Sequence, residues 1–460
     1  MSMKRIKVVL FLFVFIQGVL YLFLIPPWQS PDESHHFEYG ALISKNIKSK
    51  AKTRENLNKE IIKSMAAFHA SKYQNMPLPH PLPHILPNVP FFGKPGYVSG
   101  RAPLYYVISS FIMKGTKING FLNQFYLIRC FSLILFLLSV YFTYLSARIL
   151  FKDNPLYCFA AVSFVSFLPQ FIIISTSVNP INLAVFLETI FIYLMLFSLH
   201  KGKKLFMGFL GPIIIALGFL NHRAALFMLP PFLVLLLIYF IKSLKNKKEL
   251  LKVLLILFIT IFIFLAIYLL AHHLFPDSLN KVVLESGIKP RMGEINRFIQ
   301  YLSIPSPKSV SVFLDGFFQS FWYFSGWMRF YYCLHIYSIL KLICLLSFLG
   351  LMKYLFFILF KKNYKAEIDF KSFLILCATV LPIILAIIIR YLPRFETAQG
   401  RYIFPAISAL AILFVLGLKE IAPKKFENWI PVFVIVGFIV LNIYTIFNSL
   451  IRVFYYFTNA

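Results

Sequence analysis

The segment "IKVVLFLFVFIQGVLYLFLIPPWQSPDESHHF", residues 6–37, decides how the chain is read. Its first part, Ile6 to Ile25, is almost wholly apolar and long enough as a helix to cross a hydrocarbon core about 30 Å thick. The run stops at Pro26, Pro27 and Pro31, residues that a helix interior does not tolerate. An Asp-Glu pair, two histidines and a further glutamate follow at its mouth. A signal peptide would have a shorter apolar core and a small-residue cleavage site. This run ends in Pro-Pro-Trp and reads as an anchor, with the basic "MSMKRIK" end in the cytoplasm.

The rest of the chain repeats that pattern. Of its 460 residues 59% are hydrophobic and only 14% charged, against roughly a quarter charged in soluble domains. Apolar runs recur at about 124–147, 155–175, 181–199, 205–221, 223–241, 250–274, 333–359, 372–390, 402–418 and 429–450. The fold class is therefore an all-α integral membrane protein, a single polytopic domain over 1–460. Its expected parts are a first span within 1–25, a large outer loop at 26–123, a membrane bundle at 124–274 and 333–450, and a second outer loop at 275–332. A re-entrant piece near 311–330 would alter the count of about eleven spans.

A net charge of +29 invites a nucleic-acid reading, but the charges sit in short clusters between apolar runs, such as "KGKK" (201–204) and "KEIAPKK" (419–425). Such loops are the positive-inside signal and contact anionic lipid heads, and no basic domain remains to hold nucleic acid. The run 101–117 is short and flanked by Arg101 and Lys117. Treated as interfacial, it leaves all five basic clusters on the cytoplasmic side; counted as a span, it reverses all five. Within 53–74, Leu57, Ile61, Ile62, Met65 and Phe68 fall at helical spacing opposite Lys59, Glu60 and Lys63, which predicts a helix lying flat at the headgroup level. The proline-rich stretch 76–90 should run extended. Cys130, Cys158, Cys333, Cys344 and Cys377 lie in or beside apolar runs with no CxxC pair, as buried small hydrophobes do.

This orientation gathers the polar exceptions on the outer face. Asp32 and Glu33 sit on a turn beyond the first span. One of them could be a general base within reach of an acceptor hydroxyl; a solvated turn capping a helix from Ser34 onward accounts for them equally well. His35 and His36 beside Asp32 and Glu38 suggest a metal, yet adjacent histidines face different ways on a helix and no HxxxH spacing occurs; no metal site is assigned. Arg101, Arg223, Arg394 and Arg401 are the anion readers of that face, because a guanidinium fork matches phosphate oxygens. Each alone could equally be a snorkelling arginine. "FETAQGRYIFP" (395–405) adds Glu396, Gln399 and Tyr402. "SFWYFSGW" (320–327) adds Trp322 and Trp327, and "RAPLYY" adds Tyr105 and Tyr106; such rings mark a membrane interface or stack on sugars. Asn179 lies in "STSVNPIN".

Four of these stretches together resemble one family. "PPWQSPDESHHF", "RAPLYY", "SFWYFSGW" and "QGRYIFP" are similar, in order, to segments of the DUF2142 family of bacterial membrane proteins, which belongs to the GT-C superfamily of polytopic glycosyltransferases. The chain departs from the family pattern at Asn179-Pro180-Ile181-Asn182, at "NHRAAL" and at Ala102. The resemblance implies a GT-C-like bundle in the bacterial plasma membrane with an extracytoplasmic active site. It implies transfer of a sugar, with inversion, from a polyprenyl-phosphate donor to a cell-envelope glycan or lipid acceptor. Asp32 would be the base, with Glu33 its competitor. Arg101, Arg223, Arg394 and Arg401 would hold the lipid phosphate. His36, Tyr105, Asn179, Trp322, Trp327, Glu396, Gln399 and Tyr402 would line the substrate site, and a greasy groove between spans would hold the prenyl tail. No cofactor is required, though a divalent cation would be compatible. The alternative is a transporter or flippase of a lipid-linked or anionic substrate, for which Glu188, deep in a span, is the best sequence feature. A scaffold without chemistry is the third reading, and it would tolerate Asp32→Asn.

Overall fold

Eleven apolar runs become helices at the expected places. The computed structural model describes residues 3–44, 51–68, 104–116, 120–152, 154–244, 246–274, 288–303, 307–325, 330–361, 364, 366–394 and 398–456. Nine helices among these are long and apolar enough to cross a membrane. Pro155–Phe167 and Pro169–Ser175 form a tenth crossing bent by 61°; Pro169 forbids a continuous ladder and keeps Leu168 extended. The shorter apolar helix Phe206–Asn221 accounts for the eleventh run. No β-strand occurs among the described residues; one isolated bridge pairs Ser325 with Phe330.

Burial sorts these helices into centre and rim. The Gly400–Ile421 crossing is 83% buried and Leu334–Phe360 only 17%, so the first is surrounded by protein and the second turns most of its surface to lipid. The first helix, Met3–Leu24, belongs to the rim. It exposes Val8, Leu12 and Phe23 and buries Val14, Tyr21 and Leu22. Polar bonds hold it to the bundle: Gln17 Nε2 donates to the Ser166 carbonyl, and Asn442 Nδ2 to Tyr21 Oη.

Leu334–Phe360 is held to Ile407–Ile421 by backbone contact. A Cβ built on Gly350 would lie 1.8 Å from the Gly417 carbonyl oxygen, and one on Gly417 would lie 2.1 Å from that of Ser347. Small residues allow this approach, and dispersion over the touching backbones holds helices together where both faces are apolar. Gly350→Val should therefore lower stability by roughly 1–3 kcal/mol through overpacking, read as a lower unfolding midpoint in detergent. A wild-type midpoint would disprove this contact.

Two segments of the long first loop are helical. Leu104–Gly115 has 12 residues, about 18 Å at 1.5 Å per residue, too short to cross; it packs against Glu33–Ser44 and Phe121–Leu150. Ala51–Ala67 carries Leu57, Ile61, Ile62 and Met65 on one side, as the periodicity predicts, with Phe68 one residue beyond its end. Those four side chains are buried by protein, so this helix docks on the bundle rather than resting on lipid. The helix Pro307–Trp322 overlaps the expected re-entrant piece near 311–330. The stretch 76–90 lies outside the described residues.

The basic loops meet at one end of the bundle. Lys419 pairs with Glu367 at 2.6 Å and Lys204 with Glu249 at 2.7 Å. His200 Nε2 stands 3.2 Å from Asp369, and Tyr157 Oη donates to the Glu427 carbonyl at 2.7 Å. Asp32 and its neighbours lie at the other ends of the helices that carry these loops.

Candidate active site

The turn after the first helix is built around a buried ion pair. Arg129, in Phe121–Leu150, is 1% exposed and forks onto Glu33, with Nε to Oε1 at 2.9 Å and Nη2 to Oε2 at 2.8 Å. Its Nη1 also donates to the carbonyls of Leu22 and Ile25. These are unsatisfied acceptors at the end of Met3–Leu24, where a cation is favoured by the helix dipole. Glu33 further accepts the backbone N–H groups of Trp28 and Val178. Each carboxylate oxygen thus receives two donors, and none of the group faces solvent.

That arrangement separates the two acidic residues. In this geometry both Glu33 oxygens are taken up by Arg129, Trp28 and Val178, which leaves no open position for an acceptor hydroxyl. Asp32, the residue before it, is 37% exposed in its side chain and stands 3.6 Å from Arg401 Nη2. Its backbone is left-handed, φ 60°, as is that of Trp28, φ 73°. Aspartate adopts this region at low cost, whereas tryptophan rarely does. Trp28 is held there by full burial, its N–H bond to Glu33 and an indole bond to Ser64 Oγ at 3.0 Å. Anchoring Glu33 and Trp28 is what turns Asp32 outward.

Asp32 opens on a cleft of about 290 Å³ whose lining includes Gln29, Gln170, Ser320, Gln399, Arg401 and Tyr402. The helix Pro307–Trp322 and the turn Gly400–Ala406 form one wall. A Cβ on Gly400 would lie 2.3 Å from the Phe321 backbone, and Gly400 N donates to Ser320 Oγ at 2.7 Å. Only glycine permits this approach, which positions the next residue, Arg401. Gly400→Ala should push the two elements apart and lower turnover by about tenfold or more, since small misplacements at a reacting centre are costly; unchanged kcat would refute the positioning role. The Tyr402 ring stacks on Tyr391 with centroids 5.4 Å apart, and Arg390 lies over Tyr391.

Other expected site residues are engaged elsewhere. His36 Nδ1 shares a hydrogen bond of 2.8 Å with Tyr106 Oη and is buried away from the cleft lining. Tyr105 is fully buried against Ser132 Oγ, and burial raises its phenol above the ordinary value, keeping it neutral. Asn179 Oδ1 accepts the Ile181 N–H at 3.0 Å, from two residues before the helix Ile181–Lys201, whose N-cap position is Pro180. Local bonds and burial thus engage all three outside the cleft lining. Arg223 is exposed, outside the cleft lining, and acts electrostatically on Tyr391. Arg394 ends the short turn Leu392–Arg394. Arg101, Trp327 and Glu396 lie outside the described residues. Among the described residues, no group of three or more His, Cys, Asp or Glu is placed to hold a metal ion.

Trp322 does not line the cleft. It lines an apolar groove of about 470 Å³ between Leu334–Phe360, Ile407–Ile421 and Ile430–Tyr444, with Ile339, Leu346, Phe433 and Val440. Ser320 and Phe324 of the cleft lie two residues to either side of it, so one helix end borders both spaces. Trp322 is 1% exposed and its indole nitrogen has no hydrogen-bond partner among the described residues. Sequence reading missed Arg129, Gln29 and Gln170. Arg129 had a signal, a lone cation inside a long apolar run; Gln29 lay inside the motif "PPWQSPDESHHF" with no role given to it, and Gln170 had no signal.

Residues 102–276 match the family described as Dolichyl-phosphate-mannose-protein mannosyltransferase. Three of the four motifs behind the DUF2142 resemblance lie outside that stretch. No curated protein matches the chain. Among solved structures, the apo oligosaccharyltransferase of Archaeoglobus fulgidus is similar at 12% identity and a TM-score of 0.49, over 95% of this chain and 55% of that one. The chain spans about half the length of that relative. It is an all-helical, multi-pass membrane protein, similar over residues 102–276 to the dolichyl-phosphate-mannose-protein mannosyltransferase family.

Proposed function

We propose that the chain is a membrane glycosyltransferase that moves a sugar from a polyprenyl-phosphate donor to a cell-envelope glycan or lipid acceptor. The observation that carries this reading is the pairing of Asp32 with Arg401 in a cleft bordered by the helix end that also borders the apolar groove. A lipid-linked sugar has this division, a polar head on an aliphatic tail. The match over residues 102–276 supports the same donor class.

In this scheme Asp32 accepts the proton of the acceptor hydroxyl. The hydroxyl oxygen bonds to the anomeric carbon as the bond from that carbon to the phosphate oxygen breaks, with inversion. The departing lipid phosphate gains charge, which the preplaced Arg401 guanidinium stabilises; Arg101, Arg223 and Arg394 are its further candidate partners. Gln399, Tyr402, Trp327 and Glu396 remain the candidate sugar contacts. By the positive-inside rule the basic loops gathered at the opposite end favour a cytoplasmic position for that end, and this reading takes the cleft to open on the outer face of a bacterial plasma membrane. The scheme requires no cofactor, and chelator and divalent-cation arms of the assay test for an assisting ion.

The test supplies purified protein with polyprenyl-phosphate mannose and glucose and a mixed envelope-glycan acceptor, and follows release of the lipid phosphate. Turnover by wild type is expected. Glu188 is 1% exposed with one carboxylate oxygen unpartnered among the described residues, the feature that favours a transporter. Absence of turnover with every donor, together with substrate-driven flux in liposomes, would replace the transferase reading with that one.

A further inference from the structure

Gln29 lines the cleft and is 5% exposed, yet neither its Oε1 nor its Nε2 has a hydrogen-bond partner among the described residues. The Oγ of Ser30, 1% exposed, is likewise without one. Three other polar groups of the lining are occupied by protein. Gln170 Oε1 accepts the Phe324 N–H at 2.7 Å, Ser320 Oγ accepts the Gly400 N–H, and Ser325 Oγ bonds Tyr323 Oη at 2.6 Å. A buried amide with both ends open is costly unless a ligand supplies its partners.

We propose that Gln29 reads two adjacent hydroxyls of a neutral hexose in the cleft, Oε1 accepting from one and Nε2 donating to the other. An amide presents an acceptor beside a donor, and a vicinal diol presents the complement. Among the described residues the charged groups of the cleft lining are Asp32 and Arg401, which offset each other and are committed to the acceptor proton and the phosphate. A uronic acid or an amino sugar would bring a charge that neither of these two groups is free to meet. Gln29 is therefore a specificity residue, and this rests on the glycosyl-transfer reading.

The experiment compares wild type, Gln29→Met and Gln29→Glu, full-length in nanodiscs, with polyprenyl-phosphate mannose and its 2-, 3-, 4- and 6-deoxy analogues. Wild type should lose about 10- to 100-fold in kcat/KM on removal of either of two neighbouring hydroxyls, the cost of leaving one end of a buried amide unpaired. Gln29→Met should lose a similar factor on the parent donor and then become nearly indifferent to those two deletions, the signature of a broken pairwise interaction. Gln29→Glu, whose two oxygens can accept from both hydroxyls, should stay sensitive to both deletions. A Gln29→Met enzyme with the wild-type deoxy pattern would overturn the assignment. Should no donor turn over, the transferase reading fails separately. The sugar reading is then decided by thermal shift with octyl mannoside: stabilisation of wild type that Gln29→Met lacks sustains it, and equal shifts or none for both refute it.

Discussion

Asp32→Asn should lower turnover by about 10²–10⁴-fold, the range expected for loss of a general base, while leaving the unfolding midpoint unchanged. Asparagine keeps the shape of the side chain and tolerates the left-handed backbone at φ 60°. It cannot take a proton from an acceptor hydroxyl. The ion pair lost with it is 3.6 Å long and 37% exposed on the Asp32 side, and partly exposed pairs contribute about 0–1 kcal/mol. Steady-state release of lipid phosphate measures the first effect and thermal unfolding in detergent the second. Full turnover by this variant would sink the catalytic assignment, as the scaffold reading requires.

Glu33→Gln should do the reverse. It leaves the Arg129 guanidinium, 1% exposed, without its counter-ion, and points an amide N–H at donors already present from Trp28 or Arg129. Breaking one side of a buried pair costs roughly 3–5 kcal/mol, because the remaining charge stays buried. The expected result is a large fall in the unfolding midpoint and in yield of folded protein, with the folded fraction keeping much of its kcat. The double variant Glu33→Gln/Arg129→Met should recover part of the stability, since it removes the stranded charge. A Glu33→Gln protein of wild-type stability but abolished kcat would reassign the base to Glu33. Asp32 and Glu33 are neighbours in the chain, so only this crossed pattern of rate and stability separates them.

Most of the fold is legible in the amino-acid sequence because the bilayer leaves few choices. Every backbone polar group must be satisfied within a helix there, so an apolar run of sufficient length is already a spanning helix. The same rule places Leu104–Gly115 outside the set of spans, since 12 residues fall short of the hydrocarbon thickness. Of the candidate site, Asp32, Gln399, Arg401 and Tyr402 do line one cleft. Chain-breaking prolines present the first, and a glycine that only a close approach explains precedes the last two.

Sequence by itself thus determined which segments cross the membrane and which polar motifs lie at one end of the bundle, since run length and charge placement are local properties. Tertiary structure alone decided which member of each motif reaches the cleft. Glu33 turns inward because Arg129, 96 residues away, supplies its fork; His36 and Asn179 are taken up by Tyr106 and a helix end. Trp322 faces a groove made by three helices from elsewhere in the chain. Gln29 stands out because, among the described residues, no neighbour satisfies its amide and the nearby Gln170 is already bonded. Which partner meets a polar side chain depends on what other segments bring to it in space, and no local pattern encodes that.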